Sequence, residues 1–500
     1  MIVSCSPKQQ KDRAVEKNIY SKLNLSDRLC QKTAPLIIMS QFDRSVLDQS
    51  KEKTKEKNQN FGAKYNGANN QLWRIEKINS EFVIYSLLGG LSLSINLNDS
   101  SVEQQAFEGK SNQLWNFSGK DDSLRIQNKA TKMYLSLWPK KLITKPYDEC
   151  ESQLWKILQL EDYKKLMSTC NCKENLDFVK FTMETSYAGF QDKVNSTSKV
   201  RYDSLRNALT SNAQHVADVD TCYEIIKRYL IFFKDEHVQF YQLHRNSPKR
   251  QTVFKKVQGA ERFQLYNVNE QTLLLSLPNF HIENKERIDG ILNFHKEKIL
   301  KTPFLILDLR SNGGGDDRSW DGIIPFLYTN PIYEIGNDIW ASKEMTKRYE
   351  LNFKYLKKFD GPKEVIREQS ELIELMKKNQ GKFVVRSHDG ITKFDSVTKN
   401  PQKIIILINE YCGSSGEQFI LAAKQSKKVI LMGQNTSGCL DYSNVFETKC
   451  PSPAFQFLYA TTRSRRLPGY SVDKEGIKPN IYLQHNQDWI KEAVAELEKK

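Results

Sequence analysis

No apolar run in this chain approaches the roughly 18 residues of a membrane-crossing helix, and the run within Met1–Pro7 is too short for a secretory signal core. Cytoplasmic and secreted settings both stay open. Cysteine is scarce, nine in 500 residues. That odd, sparse set is no disulfide framework, and Cys170-x-Cys172 lacks a second pair at metal-ligand spacing. Structural or free thiols are expected, with no metal and no cofactor. The excess of 75 Lys+Arg over 60 Asp+Glu is scattered rather than striped with aromatics. Nucleic acid is therefore not an expected partner, and attraction to acidic surfaces stays open.

What the chain does have begins with a repeat. Asn70-Gln71-Leu72-Trp73, Asn112-Gln113-Leu114-Trp115 and Ser152-Gln153-Leu154-Trp155 stand 42 and 40 residues apart. Short strand-like segments such as Phe82–Leu87, Leu91–Ile95, Leu124–Gln127 and Tyr134–Leu137 lie between them, broken by Gly, Asn, Asp and Ser. One such unit cannot bury its apolar face, but three closing on one another share a core around the tryptophans. The charged stretch Lys51–Asn60 reads as a solvated loop inside the first repeat.

The second half carries candidate chemistry. The apolar run Ile404–Ile408 leads into Tyr411-Cys412-Gly413-Ser414-Ser415-Gly416-Glu417 and then a helix-like stretch, so a serine stands where a strand hands over to a helix. The free N–H groups of that first helical turn can stabilise an oxyanion. Upstream, Phe304–Leu307 reads as a buried strand ending in Asp308-Leu309-Arg310-Ser311-Asn312-Gly313-Gly314-Gly315, where backbone can approach a ligand without Cβ obstruction. No Gly-Lys-Ser/Thr follows, which argues against a Walker phosphate loop. His237, one of seven histidines, ends the amphipathic stretch Cys222–Phe233. A lone histidine is commonly structural; as an activating base it must meet the serine across the fold. Asp473 precedes the turn Lys474-Glu475-Gly476, where acidic residues are ordinarily just solvated.

Taken in order, these segments resemble the tail-specific and tricorn-core family of serine peptidases, over about residues 165 to 485. The glycine motif, Ser414-Ser415-Gly416-Glu417, Gly433-x-x-Thr436-x-Gly438 and Gly476-Ile477-x-Pro479-Asn480 all resemble family elements. The resemblance implies a crotonase-like α/β core and a peptide or protein substrate. In the tail-specific branch a lysine base follows the Thr-x-Gly element, but here that position is Cys439, which cannot replace an amine. The tricorn-like branch implies instead Ser414 as nucleophile, His237 as base and Asp473 as its orienter, with Gly314 and the Ser415 N–H as oxyanion hole. Where that branch can place a serine before the histidine, this chain has Glu236. About thirty residues after His237's segment are too few for a PDZ module of about 80.

The repeats resemble the ricin-type β-trefoil lectin. The family's sugar site implies Asp48, Phe61 and Asn70 in the first repeat, whereas Ser94, Ser136 and Ser152 interrupt it in the others. One glycan site and a binding-dead structural trefoil are both open. The expected organisation is thus multidomain: an extension at 1–34, an all-β trefoil at 35–160, a small helical domain carrying His237 at 161–245, and an α/β peptidase core at 246–500. The core holds a helix-rich insertion near 330–400, read equally as a lid or a solvated surface element. A carrier on a peptidase scaffold is the rival to an enzyme.

Overall fold

The computed structural model describes Leu29 and residues 34–49, 60–120, 123–138, 141–243 and 262–499. The expected 1–34 extension (apart from Leu29 and residue 34), the charged loop up to residue 59 and most of the segment after residue 243 lie outside the described residues. Twelve strands between Leu36 and Gln159 form one closed-up sheet of threefold character. The repeat explains it atom by atom. Trp73, Trp115 and Trp155 are buried, and each indole N–H donates to the carbonyl of Leu47, Leu93 or Leu135 at 2.9–3.0 Å. Gln71, Gln113 and Gln153 each donate Nε2–H to a carbonyl seven residues back, of Lys64, Ala106 and Pro146. Their Oε1 atoms accept from the backbone N–H five residues back, of Asn66, Glu108 and Asp148. The amide thus staples the loop before each tryptophan, which fixes its spacing to the glutamine.

Helices Leu160–Ser168, Cys172–Ser186, Lys199–Asn212 and Val219–Ile231 follow. Asn171 and Asp218 cap two of them by accepting the N–H groups of Glu174 and Thr221. A disulfide joins Cys172 to Cys222, and Cys150 is disulfide-bonded as well. Here the structure corrects the expectation of unpaired thiols. The two cysteines stand 50 residues apart and meet only because the helices pack, which no local spacing reveals. Closing a loop of that length is worth about 4 kcal/mol in chain-entropy terms.

The C-terminal half is built on a six-stranded sheet, ordered Gln264–Asn267, Thr272–Ser276, Phe304–Asp308, Lys403–Ile408, Val429–Gly433, Ile481–Tyr482. All pairings but the first are parallel. Both faces are covered, so its strands read as unbroken apolar runs. Leu273, Leu275, Leu305, Leu307, Ile404 and Ile406 face one core with Phe419, Ile420 and Trp320. Leu274, Ile306, Ile405 and Leu407 face the other, beneath Trp489, Ala493 and Leu497 of the last helix. A second sheet pairs the long strand Phe455–Ser464 with Tyr442–Lys449 on one side and with Gln239–Gln242 and Asn337–Trp340 on the other.

That pairing changes the domain picture. The strand after His237 belongs to this second sheet rather than to a separate helical unit. The 330–400 insertion is a hairpin of helices Lys343–Lys358 and Lys363–Lys378, docked by Met345, Tyr349, Ile373 and Met376 into the core that holds Ile339, Val384 and Phe457. It is a packed layer on the second sheet.

The trefoil joins the same core. Along Leu36–Ser40, Leu36 and Ile38 face the tryptophans while Ile37 and Met39 face outward into the shared core, with Val46, Leu72 and Leu158 beside them. Arg44, held at φ 63°, donates to three carbonyls of the hairpin between the long strands: Cys450 at 2.7 Å, Ser452 at 2.7 Å and Phe455 at 3.2 Å. Lys449 returns bonds to the Gln41 carbonyl and the Glu151 carboxylate. The trefoil is therefore not the separable bead its repeats suggest. Replacing Arg44 by Ala strands three carbonyls in a part-buried junction and should lower stability by about 2 kcal/mol or more. A shift in the urea midpoint at constant slope measures it, and no shift would mean the junction is solvated.

Candidate active site

The turn that carries Ser414 follows from strand, small residues and helix. Strand Lys403–Ile408 delivers the chain to Gly413-Ser414, and helix Ser415–Ala423 begins at once. Ser414 is forced to φ 53° and ψ −122°, a strained conformation for a residue with a Cβ. The strain is held by Glu417, fully buried. Its Oε2 accepts from the Ser414 N–H at 3.2 Å and the Cys439 N–H at 2.9 Å. Its Oε1 accepts from the Thr436 hydroxyl at 2.5 Å and the Gly438 N–H at 2.8 Å. The serine-to-glutamate spacing is thus a clamp between the turn and the Thr436-x-Gly438 segment.

The glycine motif closes over this turn. Asn312 accepts the Gly413 N–H on its carbonyl at 3.0 Å and donates its amide to the Leu277 carbonyl at 2.9 Å. A Cβ on Gly314, at φ +97°, would stand 2.7 Å from the Gly413 carbonyl oxygen and 2.8 Å from both Ser414 Cβ and the Ser415 nitrogen. Only glycine allows that approach. The expected role of Gly314 as an oxyanion donor needs correction, because its N–H is already spent on Asn312 Oδ1 at 3.0 Å. The N–H groups of Ser415 and Gly315 have no acceptor among the described residues. The Ser415 hydroxyl is occupied, accepting from the Trp320 indole at 3.3 Å.

His237 arrives from the other side. After the helix Val219–Ile231, Asp235 accepts the His237 N–H at 2.8 Å and the Tyr187 hydroxyl at 2.5 Å. Burial and the Asp235 charge push the Tyr187 phenol well up, so it stays a donor. The imidazole Nε2 lies 3.2 Å from Ser414 Oγ, and Nδ1 lies 2.5 Å from the Tyr442 carbonyl oxygen. A carbonyl only accepts, so Nδ1 carries the proton and Nε2 presents its lone pair to the serine hydroxyl. That arrangement can draw a proton from Ser414 Oγ.

Asp473 is not brought to the imidazole. Its carboxylate accepts the N–H groups of Leu440 at 3.0 Å and Asp441 at 2.8 Å, with Lys193 3.7 Å away. Asp441 in turn accepts the N–H groups of Val472 and Asp473 and the Ser471 hydroxyl. The two carboxylates lace 440–441 to 471–473, the frame from which the Tyr442 carbonyl reaches His237. Cys439 occupies the lysine position beside the turn, and burial raises its thiol to about 12, too high to serve as a base near neutral pH. The Tyr442 carbonyl and Asp441 escaped the sequence reading. Every residue has a carbonyl, so nothing in the sequence distinguishes one that binds a histidine.

In the trefoil, Asn70 and Gln71 donate to the two Asp48 oxygens at 2.5 and 2.6 Å, and Phe61 stands opposite Asp48 in strand register. Phe61 is exposed, whereas Asp48 and Asn70 are buried. In the second repeat Asn112 instead bonds the Ile95 carbonyl, and Gln113 bonds the Ser92 hydroxyl.

Residues 271–483 match the family described as Peptidase family S41, and residues 69–142 match the ricin-type beta-trefoil lectin domain-like family. The chain thus contains an S41 peptidase domain and a ricin-type trefoil domain. Among solved structures it is similar to mature CPAF, at 11% identity over 66% of this chain and 96% of that one, with a TM-score of 0.46. A lipoprotein from Streptococcus agalactiae is 14% identical over 66% of this chain and 96% of that one, with a TM-score of 0.39. The designed threefold symmetric protein ThreeFoil is 18% identical, covering 25% of this chain and 98% of that one, with a TM-score of 0.24. No curated protein matches the chain.

Asp473→Asn separates the two roles for that residue. An acid that orients the imidazole costs about 10⁴ in kcat when changed to the amide, whereas a residue that only braces 440–441 keeps its acceptor oxygen and should lose less than about tenfold. Burial first, then the Asp235 charge, raise Asp473 to about 6 from 3.8. A raised folded-state pKa gives stability that is full below pH 3.8 and lost as pH rises through about 6, worth about 3 kcal/mol. Chemical unfolding between pH 4 and 7 should show that slope in the parent protein and a flatter one in Asp473→Asn.

Proposed function

We propose that the chain is a serine peptidase in which Ser414 attacks the scissile carbonyl and His237 takes and returns its proton. The observation that carries this reading is the 3.2 Å approach of His237 Nε2 to Ser414 Oγ, with Nδ1 anchored on the Tyr442 carbonyl. Proton removal leaves an imidazolium whose Nδ1–H already has an acceptor. The tetrahedral oxyanion would be met by the Ser415 N–H at the helix N-terminus and by a glycine-loop N–H, for which Gly315 is free and Gly314 is not. Asp473 acts through the backbone frame. The Cys172–Cys222 disulfide suits an oxidising compartment.

The decisive experiment is labelling with a fluorophosphonate followed by mapping of the modified residue. Modification of Ser414, lost in Ser414→Ala and suppressed in His237→Ala, is expected. Peptide hydrolysis should fall by at least about a thousandfold in Ser414→Ala. Activity should rise from acid pH to a plateau as the imidazole becomes neutral, and Cys439→Ser should be tolerated. A chain that takes no label at any serine would instead be a binding protein on this scaffold.

For the trefoil, the reading is one weak glycan site in the first repeat, built on Asp48, Phe61 and Asn70. The exposed Phe61 ring opposite Asp48 in strand register supports it, because a ring face takes the sugar's C–H surface, while the buried Asp48–Asn70 pair holds the strand beneath it. Phe61→Ala should abolish glycan-array binding by the full chain without altering hydrolysis of a small soluble peptide. Retained binding would move the site to another repeat.

A further inference from the structure

We propose that Glu236 makes the cleft selective for substrates bearing a lysine or arginine beside the scissile bond. This deepens the peptidase reading and rests on it. Glu236 immediately precedes His237 and is exposed, and its Oε2 accepts from the Ser437 hydroxyl at 2.8 Å. Ser437 Oγ in turn lies 3.4 Å from where a Cβ on Gly413 would stand, one residue before Ser414. The carboxylate is therefore tethered to the Ser437 segment that packs beside the Gly413-Ser414 turn, next in sequence to His237. A carboxylate there takes no part in the proton path, which runs from Ser414 Oγ to His237 Nε2 on the other flank of the ring from the Tyr442 carbonyl.

Its position is informative because of what does not pair with it. The chain carries 75 basic against 60 acidic side chains, yet among the described residues none of those cations forms a salt bridge with Glu236. A positively charged substrate side chain within a few ångströms of such a carboxylate gains attraction, and an acidic one is repelled. The Ser437 bond restrains the carboxylate's rotamer. A serine in this place, as the resemblance suggested, would offer no such charge.

The test uses the purified full chain and two peptidyl phosphonates that differ only in a lysine or glutamate next to the reactive phosphorus, each rate being divided by that probe's rate of spontaneous hydrolysis so that intrinsic reactivity cancels. The ratio of their second-order rates of Ser414 modification should favour the lysine probe by about fivefold or more at low salt and shrink as salt is added. Glu236→Gln should bring the ratio close to one, and Glu236→Lys should invert it. A ratio near one in the parent protein, or an unchanged ratio in Glu236→Gln, overturns the assignment while leaving the peptidase reading intact. Failure of both probes to modify Ser414 sinks the peptidase reading and this assignment with it.

Discussion

The buried carboxylate of Glu417 is the interaction on which the rest of the site depends. It accepts four donors, and each is a dipole rather than a cation: two N–H groups and a hydroxyl from 436–439, and the N–H of Ser414. Leaving any of them without an acceptor in a site closed to water would cost about 1–3 kcal/mol. The strained backbone of Ser414 persists because this network over-determines it. The network extends further, since Thr436 Oγ1 donates to Glu417 and accepts the Ile477 N–H at 2.6 Å. Gly476 must pass the Thr436 carbonyl so closely that a Cβ would lie 2.1 Å from its oxygen. Three of the four motifs that run along the chain are therefore one hydrogen-bonded object.

The imidazole is held by a different logic. A backbone carbonyl selects the same tautomer a carboxylate would, but it adds no full negative charge beside the ring. The acidic residues lie one layer out, where Asp441 and Asp473 exchange bonds with each other's backbone. Burial, then the charge of Asp235 and to a lesser degree that of Asp441, raise Asp473 to about 6. Arg466, 3.5 Å from Asp441, and Lys193 beside Asp473 offset part of that cost. The histidine's geometry thus rests on a frame whose own charge state changes in the mildly acidic range.

The trefoil and the peptidase half share apolar surface as well as polar bonds. Alternation along Leu36–Ser40 sends every second side chain out of the trefoil core, and a strand buried on both faces must have something to cover its outer face. The helices and the long hairpin supply that cover. Arg44 and Lys449 then tie the trefoil to the end of that hairpin remote from Tyr442. The Lys449–Glu151 ion pair at this seam is internal to the junction.

Much of this was legible in the residues alone. The three Gln-x-Trp elements announce the trefoil because each glutamine and tryptophan bonds backbone at a fixed short separation, so the pattern is local and repeats. Unbroken runs such as Ile404–Ile408 announce parallel strands covered on both faces, and the serine-to-glutamate and glycine spacings announce a tight turn, again because the bonds are between near neighbours. Tertiary structure alone decided what depends on distant segments meeting. The Cys172–Cys222 pair, the docking of the 343–378 helices, the spent N–H of Gly314, and the choice of the Tyr442 carbonyl over Asp473 as the partner of His237 all belong to that group. A backbone carbonyl has no sequence signature, and which acid reaches a ring is settled by packing across 200 or so residues of chain.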